Sequence, residues 1–213
     1  MKDYYNSIIL KTTITPKNIL EIGSRDGNDA KELMYYFNLT HQDVWVVEPN
    51  PNQIDKIKKQ YPNFNLIENA IFNEETEHDF YQVIDDNADY VGVSSLIDRN
   101  DDFYKTRSKI IKVKTITGKH LLKIINQKID ICKIDVEGLT FEVISSFLDK
   151  LNDIKSFHLE CEHFEVWKNQ KLYEDVKNLL IKNNYKQIFF KYCSGGALQS
   201  DSVWILNDFI RNE

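Results

Sequence analysis

The sequence is poor in the residues that mark stapled, fibrous or disordered proteins. It has three cysteines, seven glycines and four prolines among 213 residues. Cys132, Cys161 and Cys193 form no CxxC motif and no close pair, which argues against a disulfide framework and is typical of a reducing compartment. So little glycine and proline excludes collagen-like and low-complexity chains. A hydrophobic content of 42% excludes a disordered chain.

The sequence also lacks long hydrophobic runs and an excess of positive charge. Near the N-terminus, the apolar run at residues 8–10 is too short for a signal-peptide core or a membrane span. We therefore expect a cytoplasmic protein with no membrane span. The net charge of −6 disfavours duplex nucleic acid as a partner, because that binding depends on neutralising phosphates. The sequence does not indicate the oligomeric state.

Apolar runs of strand type alternate with segments of helical spacing along the chain. In the first 71 residues the order is β-α-β-α-β, which is typical of a parallel sheet with right-handed crossovers. We predict one α/β domain over residues 1–213, with a Rossmann-like, doubly wound, seven-stranded and mostly parallel sheet. The strand-like runs are at residues 18–22, 44–47, 64–71, 129–134, 154–160, 185–192 and 202–206.

The middle of the chain has a different pattern. Residues 79–84 and 110–116 alternate between apolar and polar side chains, and a polar stretch at residues 97–109 lies between them. This pattern predicts an inserted β-hairpin over about residues 76–117. We expect its polar stretch to be a mobile lid over a cleft.

Two glycines follow the first predicted strand, in the segment Glu-Ile-Gly-Ser-Arg-Asp-Gly. Gly23 and Gly27 allow a backbone turn and a close approach to a ligand. Their spacing is neither the dinucleotide pattern G-x-G-x-x-G nor a phosphate-binding loop. In open α/β sheets, ligands bind at the carboxyl ends of the strands, so this turn is a candidate binding loop. A purely structural turn is the alternative.

Polar side chains also follow the next two predicted strands. Glu48 ends the second strand, where a carboxylate can accept hydrogen bonds from both ribose hydroxyls of a nucleoside. Asn69 lies at the end of the third strand, where its amide can pair with an adenine edge. The glycine loop, the acid and the amide occur in the order expected of a nucleoside-binding crevice.

These segments, in this order, resemble the class I S-adenosylmethionine-dependent methyltransferases. Residues 94–96, 113–117 and, above all, Lys-Ile-Asp-Val-Glu-Gly at 133–138 are similar to the FkbM family, and the resemblance covers residues 18–147. It implies S-adenosyl-L-methionine as cofactor and O-methylation of a hydroxyl on a sugar, glycan or small natural product. The cofactor-binding residues that it implies are Glu21, Gly23, Ser24, Gly27, Glu48, Asn69, Ala70 and Asp135.

A hydroxyl acceptor must lose its proton, so a general base should lie near it. Asp135 is the first candidate, because it ends the strand beside the glycine loop. Glu160 and His163 are the next candidates, at the end of the neighbouring strand. Two alternatives stay open. Asp135 and Glu137 could cap the helix that begins near residue 140, or Asp135, Glu160 and His163 could hold a divalent metal ion.

Two other functions fit the same pattern. One is a methyltransferase that acts on nucleic acid or protein, which the acidic net charge disfavours. The other is a non-catalytic nucleoside-binding module, which has no need for candidate bases at its strand ends. The sequence does not identify the acceptor.

Overall fold

The computed structural model describes residues 2–84, 92–193 and 198–211. In these residues, seven strands form the main sheet in the order β3-β2-β1-β7-β8-β10-β9. All neighbours pair in parallel except β10, which is antiparallel to β8 and β9. The predicted Rossmann-like sheet is confirmed. The strands are β1 (Ile19–Ile22), β2 (Val44–Val47), β3 (Asn65–Ile67), β4 (Ala70–Ile71), β5 (Glu77–Val83), β6 (Ser108–Ile116), β7 (Ile131–Ile134), β8 (Ser156–Glu162), β9 (Tyr185–Tyr192) and β10 (Gln199–Leu206).

Helices cover both faces of the main sheet, and local sequence explains where they begin. Asn50 caps one helix by accepting a hydrogen bond from the Asn52 N–H at 3.1 Å, and Pro51 fits its first turn. The helices are α1 (Lys2–Lys11), α2 (Asn28–Tyr36), α3 (Pro51–Gln60), α4 (Phe103–Arg107), α5 (Gly118–Ile125), α6 (Thr140–Ser145) and α7 (Tyr173–Lys182). Short 3-10 helices lie at His41–Asp43, Leu148–Asp153 and Asn207–Phe209.

The strands β1 and β7 are the centre of the core, because every one of their residues is buried. On one face, side chains such as Leu20 and Cys132 pack against α5, α6 and α7. On the other face, Ile19 and Ile131 pack against α1 and α2. Burial on both faces is the reason why these strands appear in the sequence as short, almost continuous apolar runs.

A second, three-stranded sheet has the order β4-β6-β5. β5 and β6 pair antiparallel, which confirms the predicted inserted hairpin; residues 85–91 of that insertion lie outside the described residues. The prediction of one strand over residues 64–71 is wrong. It is divided into β3 of the main sheet and β4 of the second sheet, and Glu68 and Asn69 lie between the two.

The helices of the described residues are short. Among them, none is long and apolar enough to cross a membrane.

Candidate active site

A cleft of about 630 Å³ opens at the carboxyl ends of β1, β2 and β7. This is the edge where open α/β sheets bind ligands. Five of the predicted cofactor residues line the cleft: Gly23, Glu48, Asn69, Ala70 and Asp135.

Close backbone packing explains the two glycines of the loop. Gly23 has φ +80°, and a Cβ atom there would lie 2.0 Å from the carbonyl oxygen of Asp135. Gly27 has φ +79°, and a Cβ atom there would lie 2.9 Å from the Tyr61 ring. Any side chain would therefore push the loop away from the end of β7 or from α3. Gly23 lines the cleft, whereas Gly27 fixes the turn into α2.

Glu48 joins the two loops on either side of the cleft. Its Oε2 accepts a hydrogen bond from the Arg25 N–H, and its Oε1 accepts one from the Asn50 N–H, both at 2.8 Å. The side chain is 6% exposed, and burial raises the pKa of its carboxyl to about 7, against the effect of these two hydrogen bonds. Each oxygen keeps a further acceptor site, since a carboxylate has about four. Two adjacent hydroxyls could use those sites.

Glu21 lies under the glycine loop and does not line the cleft. It is fully buried, and its Oε2 accepts a hydrogen bond from the Ser24 hydroxyl at 2.5 Å. Burial raises the pKa of Glu21 to about 7, although the nearby Lys133 acts in the opposite direction. The contact with Ser24 shows that Glu21 supports the loop from below.

Asn50 and Gln53, which the sequence analysis missed, also line the first cleft. Gln82 donates a hydrogen bond to Asn50 Oδ1 at 2.5 Å. Gln53 is 4% exposed, and its Oε1 has no hydrogen-bond partner among the described residues. A buried acceptor without a donor is costly, so it points to a ligand donor. The sequence offered a signal for Asn50, which precedes a proline at a helix start, but none for Gln53.

Asn69 lies at the far end of the same cleft. Its Nδ2 is 3.4 Å from the Lys114 carbonyl oxygen, which leaves its side-chain carbonyl without a partner among the described residues. Ala70 beside it is buried. The predicted adenine-edge residue is therefore in the cleft, between the main sheet and the inserted hairpin.

A second cleft, of about 740 Å³, continues from the first. The two share Gly23, Arg25, Gly92, Asp135 and Glu137 in their walls. Carboxylates dominate the second cleft, and two cations accompany them. Its charged lining residues are Asp26, Asp29, Asp135, Glu137, Glu160, Arg25 and Lys133.

Two carboxylates of the second cleft, Glu137 and Glu160, hold their protons more tightly than usual. Burial raises the pKa of Glu160 to about 8, with repulsion from Asp135 and Asp201 adding to it. Burial also raises the pKa of Glu137 well above its usual range, helped by the negative charge of Glu162. A pKa of about 8 lets Glu160 exchange a proton near neutral pH.

The predicted base candidates separate into two places. Asp135 and Glu160 both line the second cleft, whereas His163 lines neither cleft. The His163 Nε2 is 2.9 Å from the Ser200 hydroxyl, and its ring packs against Tyr173 and Tyr192. Burial lowers the pKa of His163.

The geometry bears on the two alternative roles of these groups, which are helix capping and metal binding. α6 has Leu139 at its N-cap and no side-chain cap, so neither Asp135 nor Glu137 caps it. Within the described ranges, one group of possible metal ligands has its ligand atoms within 4.8 Å of one another. It consists of Glu160, Cys193 and Asp201. That set shares only Glu160 with the predicted metal ligands.

The protein-family model of the methyltransferase FkbM domain matches residues 21–187 of the sequence. The chain belongs to the FkbM methyltransferase family. The matched range includes the glycine loop, Glu48, the inserted hairpin and all the carboxylates that line the second cleft. Among curated proteins, no sequence match was found.

Solved structures show the same fold at low sequence identity. An FkbM methyltransferase of Methylobacillus flagellatus matches with a TM-score of 0.60 and 9% identity, over 96% of this chain and 50% of that one. This chain therefore spans about half the length of that relative. A methyltransferase of Clostridium acetobutylicum, described as S-adenosylmethionine-dependent, has a TM-score of 0.53 and 9% identity, over 96% and 91% of the two chains.

A third similar structure comes from Streptococcus pneumoniae. It is a candidate tRNA (m1A22) methyltransferase in complex with S-adenosyl-L-methionine, with a TM-score of 0.51 and 11% identity over 97% of this chain and 72% of that one. At these identities the likeness concerns the fold alone.

In this member of the FkbM family, the Lys-Ile-Asp-Val-Glu-Gly segment ends under an aromatic ring. Gly138 has φ +77°, and a Cβ atom there would lie 2.8 Å from Trp167 Cγ. Trp167 is buried and donates a hydrogen bond through Nε1 to the Tyr104 hydroxyl at 3.1 Å. The end of β7 is therefore packed under the loop after β8 and under α4 of the insertion.

Proposed function

We propose that this protein binds S-adenosyl-L-methionine in the first cleft and transfers its methyl group to a hydroxyl of a sugar, glycan or small natural product. The observation that carries the proposal is the continuity of the two clefts. Their common wall holds Gly23, Asp135 and Glu137, and a buried acid, Glu48, lies on the far side of the first cleft. A donor in the first cleft and an acceptor in the second would meet at that wall.

The residues of the first cleft fit this cofactor. Glu48 keeps one acceptor site on each oxygen, which suits the two ribose hydroxyls. The unpartnered Gln53 Oε1 suits a donor such as a hydroxyl or an exocyclic amine. Gly23 lines the cleft, and its lack of a side chain lets the loop lie close to the end of β7. We propose that Asn69 and Ala70 bound the adenine end.

The cofactor supplies an activated methyl group, so the protein's task is to align the acceptor and to take up its proton. Glu160 lines only the second cleft, and its pKa of about 8 suits a general base near neutral pH. Asp135 lines both clefts and can hold either partner. We propose Glu160 as the base and Asp135 as a group that orients the donor and the acceptor.

Charge supports a neutral or cationic small acceptor over a nucleic acid. The net charge is −6, and five carboxylates accompany two cations in the second cleft. Phosphates would be repelled there, because no excess of cations neutralises them. We also propose that the protein works in the cytoplasm, which its unpaired cysteines support.

Methyl transfer from labelled S-adenosyl-L-methionine tests the acceptor class. We expect label in glycan or small-molecule fractions that contain free hydroxyls, and none in total tRNA or protein. Heat-inactivated protein is the control. Label that appears only in tRNA or protein would overturn the proposed acceptor class, although it would leave the cofactor assignment intact.

A further inference from the structure

Lys133 is a buried cation in the wall of the second cleft. It lies in β7 and is 7% exposed. The strand register places it beside Glu21 of β1 and His158 of β8, so the three side chains form a row on one face of the sheet. A buried ammonium group is costly unless it is paired.

Three carboxylates from three different segments pair with this cation. The Lys133 Nζ is 2.9 Å from Asp29 Oδ2, 2.9 Å from Asp135 Oδ2 and 3.5 Å from Glu21 Oε1. Asp29 is in α2, Asp135 follows β7, and Glu21 is in β1. The ammonium group donates a hydrogen bond to Asp135, whereas its contact with Glu21 Oε1 is an ion pair without a hydrogen bond.

Two of these contacts lead directly to the site. Lys133 holds Asp135 through Oδ2, and Asp135 Oδ1 has no partner within the described part of the chain. Lys133 also contacts Glu21, which accepts the hydrogen bond from Ser24 of the glycine loop. The cation therefore connects the end of β7 with the loop that forms the floor of the first cleft.

We propose that Lys133 is a positioning residue for cofactor binding. It fixes the orientation of Asp135 and, through Glu21 and Ser24, the conformation of the glycine loop. The proposal rests on the proposed function, because it takes the first cleft as the site of S-adenosyl-L-methionine. A purely structural role, in which Lys133 only stabilises the packing of α2 on the sheet, is the competing explanation.

The chain offers a matched control at the opposite edge of the sheet. Lys155 pairs with the buried Asp130 at 2.5 Å, just before β7 and β8 begin. Lys155→Met removes an ion pair of a buried carboxylate far from the clefts. It therefore measures what such a loss costs in stability alone.

A double-mutant cycle tests the proposal, with S-adenosyl-L-homocysteine as the probe and its affinity measured by calorimetry. We expect Lys133→Met to weaken binding by about tenfold and Lys155→Met to change it by less than about twofold. In a protein that already carries Asp135→Asn, we expect Lys133→Met to change the logarithm of the dissociation constant by less than half as much as it does in the wild type. The reason is that the group that Lys133 orients is already altered. Thermal unfolding of every variant accompanies the titrations.

Lys133→Arg keeps the positive charge and is the variant to test if Lys133→Met does not fold. Its planar fork cannot repeat the three contacts, so we expect a loss of about threefold that shrinks in the Asp135→Asn background. Equal losses in both backgrounds, or wild-type affinity in Lys133→Met despite reduced stability, would overturn the role of Lys133. A wild-type protein that does not bind the probe would overturn the proposed function itself, and this proposal with it.

Discussion

Two carboxylates of the second cleft have different surroundings. Asp135 Oδ2 accepts an ion-paired hydrogen bond from Lys133 at 2.9 Å. Among the described residues, Glu160 has no cation at such a distance, and burial raises its pKa to about 8. Asp135 lines both clefts, whereas Glu160 lines only the second. These differences are the reason why we propose Asp135 as the orienting group and Glu160 as the base.

Substitution of each carboxylate by its amide should separate the two roles. We expect Glu160→Gln to lower kcat by about 100-fold and to leave cofactor affinity within about threefold. Asp135→Asn should lower both kcat and the affinity for the cofactor. In the wild type, kcat/KM should rise as the pH increases through about 8, because Glu160 must lose its proton to act as a base. Steady-state rates across that range measure the effect.

The pH profile of Glu160→Gln is the control for this assignment, since the rise near pH 8 should vanish there. A variant with full turnover and an unchanged profile would place the base elsewhere. Loss of activity with EDTA, restored by a divalent ion, would favour a metal at Glu160, Cys193 and Asp201 instead.

At the scale of elements, the insertion is fastened to the loop after β8. The Asn100 N–H donates to the Val166 carbonyl at 2.9 Å, and the Lys168 N–H donates to the Asp98 carbonyl at 2.8 Å. The Ser95 hydroxyl donates to the Glu137 carbonyl oxygen at 2.7 Å. The polar stretch at residues 97–109 is therefore held to the loop after β8, and Ser95, just before it, contacts Glu137 of the wall that the clefts share.

We expect this stretch to act as a lid that becomes more ordered when ligand binds. Amide hydrogen exchange in residues 97–109 should slow when S-adenosyl-L-homocysteine is added, because contacts at the common wall restrict opening. Tyr104→Phe removes the hydroxyl that accepts from Trp167 and donates to the Val93 carbonyl, and should speed exchange in the free protein.

Exchange in β7 is the internal control for the lid. It should be slow with and without ligand, because the strand is buried throughout. Equal exchange of residues 97–109 in both states would show that the segment is a fixed part of the fold.

Local patterns were enough to predict the sheet, the hairpin and the cleft. Gly23 and Glu48 occur where turn chemistry and strand ends must place them, so their positions could be predicted. The split of residues 64–71 could not, because an apolar run does not indicate with which sheet it pairs. The contacts of Lys133 with Glu21 and Asp29 join segments more than 100 residues apart, so spacing along the chain does not reveal them.

At the scale of the whole molecule, the site carries buried acids that hold their protons. Burial raises the pKa of Glu21, Glu48 and Glu162 to about 7 and that of Glu160 to about 8. In the unfolded chain the same groups lose their protons near pH 4.3, as ordinary glutamates do at about that pH. Between these pH values the folded state binds more protons, so stability must fall as the pH rises.

We expect the melting temperature of the free protein to fall by at least about 3 °C between about pH 5 and about pH 8, equivalent to about 1 kcal/mol. Burial lowers the pKa of His163, which acts in the opposite direction but for one group alone. Glu162→Gln should flatten the decrease, while the exposed Glu68→Gln should not change it. A melting temperature that rises over this range would contradict the pKa shifts.

The central claim is that the first cleft binds S-adenosyl-L-methionine through Glu48. Titration calorimetry with S-adenosyl-L-homocysteine tests it most directly, with wild type, Glu48→Ala and the control Glu68→Ala, whose carboxylate instead pairs with Lys58 at the surface. We predict that Glu48→Ala weakens binding by about 1–3 kcal/mol, the cost of leaving hydrogen-bonded groups unpaired, and that Glu68→Ala binds as wild type does. Equal affinity of folded Glu48→Ala and wild type would contradict the account.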